Sequence, residues 1–312
     1  MTLVFFSETK HLMARIAVII VSYNAADQLE GALRSVAALP EVRAGEAFAE
    51  VIVSDNGSKD DSVARARRAF PSARIVENGA NLGFAKACNI GARHAHSPLL
   101  FFFNPDARVH AGTLRNAVEY FDAHPDVAMA GAKLLNEDGS TAESCGEFDT
   151  WWQAFLRSSA WGELPFFRSQ SNGYKLRQWN YASERDVDLV VGAAMFIRAD
   201  IFAQQGGFDE RFFLYHEEID FAHRLRERGQ RVVFLPQCVV THAGEQGGSQ
   251  GTWGKSGVLG WRQRSRRLYW IKHHGQLWYW SLSAALVARY VLYLAAVAVA
   301  FVVLHKSLMA GR

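Results

Sequence analysis

The sequence predicts an α/β fold with a mostly parallel, twisted sheet and helices on both of its faces. Three observations carry this. From Arg15 onward, apolar strand-like runs alternate with helical segments: RIAVIIVSYN, a helix near 25–38, VIVSDNGS, a helix near 60–69, then ARIVENG. Such alternation builds parallel sheets covered by helices. The runs end in polar residues, and ligands of these sheets bind beyond the carboxyl ends of the strands. A chain of 312 residues, 49% hydrophobic and 21% charged, is globular in composition and long enough for one large domain or a domain with an appendage.

Residues 1–14 form an N-terminal extension. Its apolar run, Leu3 to Phe6, gives way to Ser7, Glu8 and Lys10, too short and too polar for a signal peptide, so the body is expected in the cytoplasm. The main body is expected over 15–250. After its first strand stand Ser22, Tyr23 and Asn24, and after the second Asp55, Asn56, Gly57 and Ser58. These are candidate ligand contacts, or simply turn formers. NLGFAKACNIGARHA then turns into a helix with Gly83, Lys86 and Asn89 near its start. Gly83 lets the backbone approach a ligand, and free N–H groups at a helix start favour an anion. Neither a Walker loop nor a dinucleotide glycine pattern is present. LLFFFNPDARV is a strand ending in Asn104, Pro105 and Asp106, which serves either as a turn or as a carboxylate site for Mg²⁺ or Mn²⁺.

Residues 136–186 interrupt the pattern with aromatic and turn-forming residues, an insertion expected to form a wall or lid beside the cleft. Trp151, Trp152 and Trp161 are expected in core packing, covering the sheet edge, with sugar stacking or lipid contact as alternatives.

The region 187–242 carries the densest chemistry. VDLVVGAAMFIR suits a buried strand, and the following helix opens with Glu217, Glu218 and Asp220. Glu218 shares a side with Phe221, Ala222 and Leu225, which places it at the end of the buried stripe, facing a cleft floor. Asp220 lies four residues before Arg224 and is expected to pair with it. Acids at a helix start also complement the macrodipole. The flanking Phe212, Phe213 and Tyr215 and the later His242 favour a site. Cys88, Cys145 and Cys238 show no ligand spacing and read as core thiols of a reducing compartment.

After His242, AGEQGGSQGTWGKSG reads as a closing loop or a linker. The formal charge of +3 hides an asymmetry: nine of the 34 Lys and Arg lie beyond Glu245, the last acid, leaving 25 cations against 31 acids before it. Residues 251–312 form a basic, aromatic and then hydrophobic tail. Arg262, Arg264, Arg266, Arg267 and Lys272 sit among aromatics, and between Leu277 and Leu304 only Arg289 is charged. This pattern favours a membrane surface over nucleic acid, and a charge near mid-segment favours an interfacial helix pair over a clean span.

The order VSYN, SDNGS, NLGFAKACNIG, FFNPD, GAAMFIR, GGFDERFFLYHEEIDFAHRL and VTH resembles family 2 glycosyltransferases of the GT-A fold, especially the bacterial rhamnosyltransferase branch, over about residues 15–250. The resemblance implies an inverting transfer of a sugar from a nucleoside diphosphate donor to an acceptor hydroxyl. It matches Ser22, Tyr23, Asn24, Asp55 and Asn56 to the segments holding base and ribose. Asn81, Gly83, Phe84 and Asn89 match a further donor segment, and Ser249 a serine near the diphosphate. Asn104 and Asp106 stand at the metal-binding DxD motif, with Asn in place of its first Asp, and His242 at a histidine that completes the metal site. Glu218 stands where the family's base is Asp, so that it or Glu217 is the expected base.

The expected protein is therefore a glycosyltransferase using Mg²⁺ or Mn²⁺ on the inner membrane face. Its donor is a dTDP- or UDP-sugar, first dTDP-rhamnose, and its acceptor a glycan or lipid-linked hydroxyl in cell-surface polysaccharide synthesis; no nucleic acid is involved. A sugar nucleotidyltransferase and a non-catalytic nucleotide-binding membrane scaffold are the alternatives.

Overall fold

The computed structural model describes residues 14–43, 48–159, 161, 164, 166, 167, 179–244 and 248–310. The described residues include eleven strands: β1 (Ile16–Ser22), β2 (Ala49–Asp55), β3 (Arg74–Glu77), β4 (Leu99–Phe103), β5 (Ala107–Val109), β6 (Val127–Leu135), β7 (Cys145–Gly146), β8 (Arg185–Asp186), β9 (Leu189–Val190), β10 (Ala194–Arg198) and β11 (Arg231–His242). Nine form one sheet in the order β3-β2-β1-β4-β10-β6-β11-β5, with β8 also on β11. The first four strands are parallel, and β6 and β11 run the same way; β10, β5 and β8 oppose them. The mostly parallel sheet expected from the alternation is thus present. β7 and β9 form a separate two-stranded sheet.

β1, IAVIIVS, is buried along its whole length, as a central parallel strand covered on both faces must be. Its alternate residues feed two cores. Ile16, Val18 and Ile20 pack with Leu29, Leu33 and Val36 of α1 (Ala26–Ala37) and with Leu114, Ala117 and Phe121 of α5 (Thr113–Ala123). Ala17, Ile19 and Val21 pack with Ala85 and Cys88 of α4 (Phe84–Arg93) and Phe221 and Leu225 of α8 (Glu217–Glu227). α4 lies so close that a Cβ on Gly91 would come within 2.6 Å of Ile19 Cγ2. All three cysteines are free and buried, as expected of core thiols.

Four local expectations change. The run 187–198 is not one strand: β9 ends at Val190, and β10 begins at Ala194 beyond Gly192. The glycine-rich run does not stay a loop, since α9 (Gly248–His274) begins inside it, bent at Gly254. Trp152 and Trp161 are 38% and 55% exposed, so core packing does not hold for them. The helix of the insertion, α6 (Trp151–Ser158), lies against the C-terminal helix α10 (Gln276–Ala310) and not on the sheet edge: Trp151 donates its ring N–H to Ser281 at 3.0 Å and meets Trp278 edge-on. Finally, the apolar tail is one continuous helix. Its segment Gln276–Phe301 is long and apolar enough to cross a membrane; near its start Leu282 packs with Ala154, Phe212 and Trp270, while most of the large apolar side chains from Leu286 to Phe301 are exposed.

Candidate functional site

The sheet register gathers its polar ends at one rim. Ser22 pairs with Asp55, and Phe103 with both Ile20 and Ala194, so Tyr23, Asn56, Asn104 and Ala193 emerge together. β5 returns along β11, bringing Ala107 opposite His242 and so Asp106 beside it. Above this rim lies a cavity of about 720 Å³, in the range of small-molecule sites.

Of the expected donor contacts, Tyr23, Asn56, Asn81, Gly83, Phe84 and Asn104 line it. Asn56 donates to the Gly83 carbonyl at 3.1 Å and accepts from Asn78 at 2.9 Å, while Asn81 accepts from Gly83 N–H, so the β2 end and the α4 start are laced together. Gly83 has φ +86°, and a Cβ there would lie 2.6 Å from the Phe213 carbonyl, which accepts from Phe84 N–H at 2.7 Å. Only glycine lets the chain pass.

Ser22, Asn24, Asp55 and Asn89 stand behind the lining. The Asp55 carboxylate accepts from Gly57 and Ser58 N–H and the Ser58 hydroxyl, and Asn24 joins that loop by accepting from Lys59 N–H. Asn89 exchanges two hydrogen bonds with the Phe208 backbone, donating at 2.8 Å and accepting at 2.9 Å. It therefore braces the loop leading to α8, because its amide is consumed there. Buried Ser22 has no hydrogen-bond partner for its hydroxyl. Ser249 lies in the first turn of α9, and its side chain is outside the described residues.

The acids arrive by a strained turn. Tyr215 and His216 both have positive φ, 69° and 70°, immediately before Glu217. Left-handed backbone at bulky residues costs about 1–3 kcal/mol each and persists only where the surroundings enforce it. Here α9 enforces it: Trp261 stacks on Phe213 at 4.3 Å, and Ser265 donates to the Leu214 carbonyl at 2.7 Å. One turn into α8, fully buried Asp220 binds Arg224 at 3.0 Å, as expected, and also Lys272 at 2.6 Å and His273 at 2.8 Å.

Glu217 and Glu218 both face the cavity, and each has one carboxylate oxygen without a hydrogen-bond partner among the described residues. Gly192 lies against Glu218, whose carboxyl carbon would meet a Cβ there at 3.6 Å, an ordinary packing distance. Burial pushes the Glu218 carboxyl up to about 7; burial and then the Glu218 charge push Glu217 well above the usual carboxylate range. One acid of such a pair ionises near neutrality while the other keeps its proton, which suits Glu218 to accept a proton there.

Asp106 Oδ1 lies 3.2 Å from His242 Nε2, and Asn104 is 3.4 Å from the same nitrogen. Donor atoms sharing one metal ion sit about 3 Å apart, since ligand bonds of about 2.1 Å meet near right angles. A carboxylate and an imidazole so placed fit two ligands of a divalent ion; Asn104 presents its amide nitrogen to His242, so its oxygen would join them only with the amide turned over. A second group, His223, Glu227 and His273, also comes together, within 4.8 Å. Its imidazoles are stacked face to face at 4.0 Å and His273 binds Asp220, so they do not aim at a common point.

Reasoning from the chain alone missed part of this lining. Arg262, Gln263 and Arg266 of α9 line the cavity, although the basic segment read as a membrane contact. Their i, i+4 spacing was the available signal. Nothing in Tyr215 and His216 announced a left-handed turn, which Gly or Asn would have done.

Residues 17–202 match the family described as Glycosyl transferase family 2. The chain is 29% identical over 238 residues to N-acetylglucosaminyl-diphospho-decaprenol L-rhamnosyltransferase of Mycobacterium tuberculosis, covering 72% of this chain and 75% of that one. It is 24% identical over 232 residues to Rhamnosyltransferase WbbL of Escherichia coli, covering 72% and 82%. Among solved structures it resembles the mannosyltransferase PcManGT of Pyrobaculum calidifontis in complex with GDP-Man and Mn²⁺, with a TM-score of 0.53 at 19% identity over 93% of this chain and 81% of that one. That likeness supports the GT-A fold expected above. With more than half of its length matched, the chain belongs to glycosyl transferase family 2 and is a glycosyltransferase of polysaccharide synthesis whose relatives include rhamnosyltransferases.

Proposed function

We propose that the chain moves rhamnose from dTDP-rhamnose, with inversion, onto a hydroxyl of a sugar carried by a lipid diphosphate, with UDP-sugars as the second choice of donor. The observation that carries this reading is that Glu218, Asp106 and His242 face one cavity with the acid raised toward neutrality. The Mycobacterium tuberculosis relative is named for a diphospholipid acceptor and a rhamnosyl donor group, which directs the choice of both.

Glu218 takes the proton from the acceptor hydroxyl as that oxygen bonds to the anomeric carbon and the bond from that carbon to the diphosphate breaks. Attack and departure on opposite sides give inversion. Glu217, protonated, leaves the developing charge on Glu218 alone. Asp106 and His242, with Asn104, would hold Mg²⁺ or Mn²⁺; a divalent ion there supplies positive charge to the leaving diphosphate. Tyr23, Asn56 and Asn81 contact the nucleoside, and Asp55, Asn24 and Asn89 shape the wall behind them. Residues 15–250 form the catalytic part and 251–312 the membrane part, at the cytoplasmic face. Gln276–Phe301 spans ~39 Å at ~1.5 Å per residue, against a hydrocarbon core of ~30 Å.

Thermal stabilisation by a panel of nucleotide sugars, with and without Mn²⁺, tests the donor, because a ligand of the native state raises Tm. Metal-dependent stabilisation by dTDP-rhamnose above the other sugars is expected. A flat response to every nucleotide sugar would overturn the reading, and release of inorganic diphosphate from a nucleoside triphosphate would indicate nucleotidyl transfer.

A further inference from the structure

Arg262 and Arg266 enter the cavity from α9, one helical turn apart and on one face. Residues at i, i+4 stand about 5–6 Å apart at Cβ. The same face seats Trp261 on Phe213 and Ser265 on Leu214, so its orientation is fixed. Arg262 also lies over the Tyr215 ring, 4.9 Å from its centroid. Burial, then the charges of Arg266 and Arg262, push His216 down to about 4, so both guanidiniums act on the cavity floor while His216 stays neutral.

The cavity therefore has two places for anionic oxygens. One is the Asp106–His242 rim, at the sheet. The other is this arginine pair, on the helix that runs through Gly275 into α10. Arg266 precedes Gln276 by ten residues, at most about 15 Å of helix. A lipid beside α10 would present its phosphates on this side.

We propose that Arg262 and Arg266 bind the diphosphate of the acceptor lipid and so select a diphosphate-linked acceptor. Guanidiniums grip phosphate oxygens in pairs, and two of them a turn apart match two phosphates joined by one oxygen. The proposal rests on the glycosyl-transfer reading above. The donor carries the same chemistry, so the test separates the two sources.

Two measurements on the full chain in detergent decide it, with wild type, R262Q/R266Q and R262K/R266K. Calorimetry with farnesyl diphosphate reads the wall without any turnover. Wild type is expected to bind it, the Gln variant roughly 10- to 100-fold more weakly, and the Lys variant in between, since an ammonium keeps the charge but loses the fork. Steady-state transfer to N-acetylglucosamine linked through diphosphate to farnesol then assigns the source. The acceptor KM is expected to rise by a similar factor in the Gln variant with the donor KM within about twofold. Equal farnesyl diphosphate binding by wild type and the Gln variant, or no binding by either, overturns the proposal. A donor KM that rises as much as the acceptor KM overturns it too, assigning the arginines to the donor. If wild type transfers nothing from any nucleotide sugar yet the binding difference holds, the functional reading fails while the diphosphate wall stands. Should the Gln variant not fold, the Lys variant carries the same comparisons.

Discussion

The two sides of the cavity are built differently. The sheet side takes its shape at strand ends: turns that close on themselves, Asp55 with Gly57 and Ser58 and Asn81 with Gly83, and the backbone pairing of β5 with β11 that sets Asp106 beside His242. The helical side depends on partners far apart in the chain, with α8 held by Lys272 and His273 and the strained 215–216 turn held by Trp261 and Ser265. A rim fixed by backbone pairing within the sheet survives the loss of a helix docked beside it. A site made by docking two helices exists only while they stay docked, so its geometry and the fold's stability are linked.

The largest expected effect sharpens the contrast. E218Q should lower transfer by roughly 10²- to 10⁴-fold while nucleotide sugar binding persists, measured by turnover and thermal shift in parallel. Unchanged turnover would remove Glu218 as the base. Next, H242A should abolish the Mn²⁺-dependent part of donor stabilisation and leave stability without ligand within about 1 kcal/mol, as expected for a rim residue.

D220A, on the helical side, should do the reverse. It strands Arg224, Lys272 and His273 around an empty position, and breaking a buried pair costs about 3–5 kcal/mol, read from denaturant unfolding. Burial opposes ionisation of Asp220, but His273 and Lys272 hold its carboxyl below the usual range. Its contribution is thus present above the unfolded value near 3.9 and lost as pH falls through the lower folded value.

Glu218 has the opposite sign. Its carboxyl is raised to about 7, so the folded state is favoured while it is protonated and loses that advantage as pH rises from about 4.3 through 7. E218Q should accordingly melt higher than wild type at pH 8, and wild-type kcat should fall as pH drops below about 7. The smallest effect is expected from S265A, about 1 kcal/mol for its single bond to Leu214. Loss of transfer out of proportion to that change would show that the turn, and not the helix pair as a whole, sets the base.

The same division decides what could be read from the chain. The alternation of strands and helices, the polar strand ends and the acids opening α8 were legible, because period and position in a strand carry that information; the joining of His242 with Asp106 came only from the family resemblance. The Asp220–Arg224 pair was legible from its spacing. The additional claims of Lys272 and His273 on Asp220 were not, because no local pattern encodes which helices dock. Asn89 looked like a ligand contact and instead braces Phe208; an amide at a helix start serves either purpose. The strand read across Gly192 failed for a related reason, since the continuous apolar run concealed the break between β9 and β10.

α9 and α10 meet at Gly275, where φ is +87°, and Arg267 reaches from α9 over the rings of Tyr279 and Trp280. With α6 also fastened to α10 through Trp151 and Ser281, the apolar helix is tied to the body on two sides. If α10 enters a bilayer as proposed above, a tilt imposed on it by a thicker or thinner one would act as a lever on the turn that presents Glu218, and turnover would then vary with lipid composition.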